Sequence, residues 1–369
     1  MVVPADHRMY AYVGNFAQTE EQLRAKLDGV YVFRVDVASG AWTPVQMVSD
    51  CPQPSFLVVE PKQRFLYVAN FANENAGFSG GMLSAYAIDR ASGRLSLLNR
   101  LPTRGDGPAF VSMDANGRCL LVANYMSGSL ETHLVGEDGR LGPVAGFVQH
   151  AGSGPNAARQ EGPHAHSIIT DPSGRFALAA DLGADKVFVY RLNAERGTLE
   201  PNDPPAASLK PGAGPRHLVF HPNGRFVYVA NELDSTVTVF AWDGEKGTLE
   251  LVQSVSTVPP EWTAINYPAD IHFAPSGKFL YVSNREHDSL AIYAVDAVSG
   301  LVNSVGWEPT QGAYPRHFTV CPLKGRIVVA NQNSGHLFSF RMDDATGKLT
   351  PLGKVADVIG AACVQIVEL

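Results

Sequence analysis

Eight residues between positions 166 and 317 could do chemistry together: His166, Arg216, His217, Glu232, Asp270, Arg285, Arg316 and His317. A guanidinium is a planar fork of donors that meets carboxylate or phosphate oxygens two at a time. Three arginines here outnumber two carboxylates, so the set suits an anionic ligand. The bland alternative is structural, with Arg216 paired to Glu232 and the histidines bonded to backbone. His164 and His166 alternate on a strand, yet no carboxylate or thiol joins them at ligand spacing, so no metal is assigned. Arg159 and Gln160, just before His164, either reach over a pocket or are merely solvated.

What singles these residues out is their place in a repeat. The stretch GAGPRHLVFHPNGRFVYVANELDSTVTVF holds two β-branched and aromatic runs, Leu218 to His221 and Phe226 to Ala230, joined by a tight turn at Pro222, Asn223 and Gly224. Thr236 to Phe240 and Leu249 to Val255 complete four strands. The unit recurs from Pro54 to Asn70, Pro108 to Asn124, Ala165 to Asp181, Pro215 to Asn231, Pro268 to Asn284 and Pro315 to Asn331, always with the same separation. Gly40, Gly93, Gly139, Gly197, Gly247, Gly300 and Gly347 mark seven outer turns. Tyr10 to Asn15 matches only the second strand of a unit. The run Cys363 to Val367 has the alternation of the missing first strand, so it is expected to close a ring beside Tyr10 to Asn15.

Radial repetition of four-stranded sheets at about 50 residues per repeat specifies a β-propeller. The expectation is an all-β chain, one domain over 1–369, with seven blades of four antiparallel strands. Aligned on the leading Pro or Ala, the next position holds Ser55, Ala109, His166, Arg216, Ala269 and Arg316. One further stand Phe56, Phe110, Ser167, His217, Asp270 and His317. After the closing Asn or Asp come Phe16, Phe71, Tyr125, Leu182, Glu232, Arg285 and Gln332. Antiparallel neighbours begin and end at one edge, so Arg216 and Glu232 should emerge on one face and converge with their equivalents near the axis. The recurring Asn residues read as turn formers. Insertions at Gln18 to Lys26, Gly152 to Gly162 and Pro259 to Tyr267 should border a pocket.

The net charge of -7 argues against a nucleic-acid footprint or a polybasic membrane contact. Cys51, Cys119, Cys321 and Cys363 lack CxxC spacing, as expected of thiols kept reduced. Met1 to Tyr10 carries Asp6, His7 and Arg8 and has no apolar core of a signal peptide, and no apolar run is long enough to span a membrane. A cytoplasmic location is expected.

The wording GPRHLVFHPNGRFVYVANELDSTVTVF, YPADIHFAPSGKFLYVSNREHDSLAIY and YPRHFTV, with His166 and Ser167 ahead of Asp171 and Pro172, resembles the seven-bladed propeller lactonases of the 6-phosphogluconolactonase type, related to carboxy-cis,cis-muconate cyclase. The likeness spans essentially the whole chain. It implies a site of His166, Arg216, Glu232 and Arg285, to which the reading of the residues adds His164, His217, Asp270, Arg316, His317, Arg159 and Gln160 as candidate substrate contacts. The implied reaction is hydrolysis of a small anionic sugar lactone, 6-phosphoglucono-1,5-lactone foremost, as in the pentose phosphate pathway. Glu232 or His166 would activate water, and an arginine, Arg216 by preference, would meet the oxyanion. No cofactor is implied, and the chain would be a monomer or weak homodimer. A muconate cyclase would use the same groups. A non-catalytic propeller that docks a protein would instead need aromatic anchors on its rim.

Overall fold

The computed structural model describes residues 8–17, 29–71, 80–321 and 325–369; the insertion expected at Gln18 to Lys26 lies outside them. Among the described residues, 28 strands form seven four-stranded sheets, each with its strands antiparallel. Blade five is Pro215–Phe220, Phe226–Asn231, Thr236–Asp243 and Thr248–Ser256, within a few residues of the runs read from the sequence. Blades two, three, four, six and seven span 54–102, 108–149, 165–208, 267–309 and 315–357. Blade one is made from both chain ends. Ala361–Glu368 lies antiparallel to Met9–Asn15, with Met9 opposite Glu368 and Gly14 opposite Cys363, followed by Val30–Val35 and Trp42–Val48. The expected closing strand is therefore the one observed. Among the described residues, no helix is long and apolar enough to cross a membrane.

Each second strand is packed on both faces, which is why its sequence is apolar throughout: Phe65–Asn70 and Phe226–Asn231 are buried at every position. Neighbouring blades are stapled by one repeated contact. The tyrosine of a second strand donates its hydroxyl to the carbonyl of the next blade's outer-turn glycine: Tyr12 to Gly93, Tyr67 to Gly139, Tyr228 to Gly300 and Tyr281 to Gly347, at 2.7–3.0 Å. At Gly300 the backbone has φ +77°, and a Cβ there would overlap the Phe226 ring. The turn therefore needs glycine for its conformation and for the close approach. The recurring Asn side chains also do structural work: Asn231 donates to Thr236 and Thr238, and Asn284 to Thr257 O at 2.7 Å.

These staples should carry measurable stability. In urea titrations Gly300→Ala should lose roughly 1–3 kcal/mol, and Tyr228→Phe about 1 kcal/mol, with the slope unchanged. Loss-free variants would show that blade packing does not depend on this contact.

Candidate active site

Two backbone devices aim side chains at the axis. Every inner strand of blades two to seven opens with a bulge: register slips between Pro54 and Phe56, Pro108 and Phe110, Ala165 and Ser167, Pro215 and His217, Pro268 and Ile271, and Pro315 and His317. A bulge re-aims the side chains it carries. Here it lets consecutive residues face the axis together, so that Arg216 with His217 and Arg316 with His317 line one narrow cleft. The second device holds the residue after each closing Asn or Asp. Its N–H donates to the carbonyl just ahead of the inner strand: Phe16 to Gly360, Phe71 to Gln53, Tyr125 to Gly107, Leu182 to His164, Glu232 to Gly214 and Gln332 to Tyr314, at 2.7–3.0 Å.

Above the cleft opens a cavity of about 370 Å³, lined by Phe16, Ala17, Phe71, Ala109, Tyr125, Arg159, His166, Glu232, Arg285, Tyr314 and Arg316. Its apolar lining comes from blades one to three, where the Phe16 and Phe71 rings lie 5.1 Å apart. Its charge comes from the other side of the ring and from the inserted loop bearing Arg159. Glu232 is the hub. Its Oε2 lies 2.7 Å from Arg285 Nη2 and 3.0 Å from Arg216 Nε, and its Oε1 accepts from Arg159 Nη2 at 2.6 Å. The Arg216 contact is an ion pair without an aligned N–H. Burial pushes the Glu232 carboxyl up, but Arg285, then Arg216 and Arg159, outweigh it and hold it well below the usual carboxylate range.

The remaining wall groups are fixed in turn. Arg159 Nη2 also donates to Tyr125 Oη at 3.1 Å. Arg316 lies over the Phe16 ring at 5.2 Å, with Nη1 at 3.5 Å from Gln332 Oε1, and burial, then Arg285, press its pKa down to about 10. His166 stands edge-on to Tyr125 and His217, both 5.3 Å away. Its Nδ1 is buried with no hydrogen-bond partner among the described residues. Burial, then Arg216, keep the ring neutral far below its ordinary pKa. A neutral imidazole on the cavity wall is able to accept a proton. A carboxylate clasped by three arginines is a poor one.

Beneath the floor lies a second hub. His217 Nδ1 donates to Asp270 Oδ1 at 2.9 Å, and its Nε2 accepts from Arg216 Nη1 at 3.2 Å, since a guanidinium can only donate. Arg216 Nη1 also donates to Ala269 O. Asp270 Oδ2 meets His272 Nε2 at 2.9 Å, Phe318 N at 3.2 Å and His317 Nε2 at 3.5 Å. Burial leads in lowering His217 to about 3 and His317 to about 4, so both are neutral. Asp270, His272 and His317 place possible ligand atoms within 4.8 Å of one another. Val364 N–H, however, donates to His317 Nδ1 at 3.3 Å, which leaves the ring's proton on Nε2 and no lone pair facing Asp270. The cluster is built as a hydrogen-bonded carboxylate.

The sequence-derived residues thus separate. His166, Glu232, Arg285, Arg316 and Arg159 share the cavity wall; of the two fates open to Arg159, it takes the reach to Glu232. Arg216, His217 and His317 form the floor, and Asp270 is screened from the cavity below them. The structural reading of the Arg216–Glu232 pair therefore holds for its geometry, and Arg216 is not the wall arginine expected to meet an oxyanion. Two residues leave the site. The bulge at 165–167 parts His164 from His166, and His164 stacks on Tyr125 at 4.6 Å with Nε2 on Glu161. Gln160 is fully buried and spends its amide on Leu182 O and Asp185 Oδ1, both 2.8 Å away. Tyr314 had not been singled out. It stands immediately ahead of its strand's Pro, where Gly107 and Gly214 stand in their blades, and that register comparison could have found it.

The family described as Lactonase, 7-bladed beta-propeller, matches residues 10–366. The chain is 34% identical over 357 residues to the 6-phosphogluconolactonase of Bacillus subtilis, covering 97% of this chain and 98% of that one. It is 33% identical to the 6-phosphogluconolactonase of Formosa agariphila, over 92% and 95%. The solved structure of a periplasmic gluconolactonase of Pseudomonas aeruginosa superposes with a TM-score of 0.89 at 34% identity, over 98% of this chain and 99% of that one. The chain belongs to the seven-bladed β-propeller lactonase family.

Proposed function

We propose that the protein hydrolyses 6-phosphoglucono-1,5-lactone to 6-phosphogluconate, with His166 as general base. The observation that carries this is a neutral imidazole, its Nδ1 without a partner among the described residues, on a wall where three arginines face a single carboxylate. Water attacks the ring carbonyl carbon as His166 takes its proton. The tetrahedral oxyanion is met by Arg316, whose charge reaches the His166 ring. Collapse breaks the bond to the ring oxygen, which recovers the proton from His166 and leaves as a hydroxyl. Arg285 and Arg159 hold the phosphate, and Glu232 keeps those two guanidinium groups in register. The apolar side at Phe16 and Phe71 suits the C–H face of a sugar ring. The names of the relatives support the same substrate. A cytoplasmic role in the pentose phosphate pathway fits four buried cysteines that form no disulfide among the described residues.

His166→Asn should leave the fold intact and cut kcat by about 10²- to 10⁴-fold, measured above the spontaneous hydrolysis rate. Because the His166 pKa is depressed, its basic form persists as acid is added. The profile of kcat/KM should therefore stay level from neutral pH down through 6.5 and fall only at lower pH; a descent centred on 6.5 would remove His166 from the role. Arg285→Ala should raise KM for the phosphorylated lactone by roughly 10- to 100-fold, and change KM for glucono-lactone little. Equal losses on both lactones would overturn the phosphate assignment.

A further inference from the structure

Five inner strands are preceded by a residue in the left-handed region: Gln53 (φ 45°), Gly107 (65°), Gly214 (66°), Tyr314 (63°) and Gly360 (71°). Three of the five are glycine, which occupies this region without strain. Gln53 is buried and does not reach the cavity. Tyr314 alone among them puts its side chain on the cavity wall. A bulky residue held at positive φ is unfavourable and persists where its surroundings overdetermine it, commonly at functional sites. The surroundings here are visible: Tyr314 N–H donates to Asp288 Oδ1 at 2.7 Å, and Tyr314 O accepts from Gln332 N at 3.0 Å.

What the tyrosine does with that position follows from Arg285. Nε of Arg285 donates to Tyr267 O at 3.0 Å, and Nη2 is occupied by Glu232 at 2.7 Å and Pro268 O at 3.4 Å. The guanidinium lies 5.7 Å from the Tyr267 ring centre and 5.2 Å from that of Tyr314. Nη1 is the nitrogen that remains for a ligand. Its protein neighbour is Tyr314 Oη at 3.5 Å, a loose contact that a stronger acceptor would displace.

We propose that Tyr314 is a positioning and specificity residue. It holds Arg285, which also lies against the Tyr267 ring, so that Nη1 faces the cavity as the donor to the substrate's phosphate, at the expense of local backbone strain. This rests on the function proposed above. A flexible arginine would lose conformational freedom on gripping an anion, and an arginine already held by two rings and by Glu232 and Tyr267 O has little left to lose.

The test sets Tyr314→Gly against Tyr314→Phe. Glycine is the residue at the equivalent place in blades three and five, so this variant should fold with a melting temperature unchanged or raised. It should nonetheless raise KM for the phosphorylated lactone about tenfold, with kcat altered little and kcat/KM for glucono-lactone within about twofold of wild type. Tyr314→Phe keeps the ring and should stay within about threefold of wild type on both substrates. A Tyr314→Gly protein that keeps wild-type KM, or that melts several degrees lower and loses both activities alike, would overturn the proposal. Calorimetry with inorganic phosphate separates the two levels of inference. If the wild type hydrolyses neither lactone, the proposed function falls, and Tyr314 stands or falls by whether Tyr314→Gly weakens phosphate binding.

Discussion

The bulge that opens each inner strand is the constraint on which the site depends. A regular strand would send Arg216 and His217, or Arg316 and His317, to opposite faces, and one of each pair would be buried between blades. With the bulge, both face the axis at different depths. The hydrogen bond from the residue after the closing Asn to the carbonyl ahead of the strand then fixes the third contributor, so that Glu232 arrives over Arg216. Three columns of the repeat become two layers, a wall and a floor.

Each layer is organised by one buried carboxylate with a different retinue. Glu232 collects arginines, which cannot lose their charge, so a positive excess remains for an anion. Asp270 collects histidines and a backbone N–H, which satisfy its oxygens by hydrogen bonding and leave the floor closed. Isolated, either carboxylate would be strongly penalised by burial; saturated with donors, both stay ionised. The two hubs are joined through Arg216 and His217, which fixes the His217 tautomer and the plane of the Arg216 guanidinium. His166 is the wall's exception, a titratable group whose Nδ1 has no partner among the described residues, and it is the group from which the chemistry is argued.

Most of the fold was legible because a propeller's sequence is periodic for physical reasons. The second strands are buried on both faces and must be apolar, and the outer turns need left-handed glycines. Even the closing strand Ala361–Glu368 could be read from what the first unit lacked. Arg216, Glu232, Arg285 and His166 were legible as variable positions in an otherwise constant frame. His164 and Gln160 were misplaced because their neighbours in the sequence are site residues, while a bulge and a buried amide network turn their side chains elsewhere. Tyr314 was passed over because the columns compared began after the leading proline, and the glycines that mark the position ahead of it in other blades lay outside them.

By itself the sequence determined the repeat, the number of blades, the way the ring closes and which positions come to the axis, since these follow from strand periodicity and turn chemistry along one stretch of chain. It also set the surplus of arginine. Only the tertiary structure decided depth: that Arg216 supports from below while Arg285 and Arg316 face the cavity, and that Glu232 is bound by three arginines while Asp270 goes to the histidines. The physical reason is that most of these partnerships join different blades, across 47 to 73 residues of chain, where a slip of one residue at a bulge exchanges wall for floor, and no local pattern records which side chain the neighbouring blade will present.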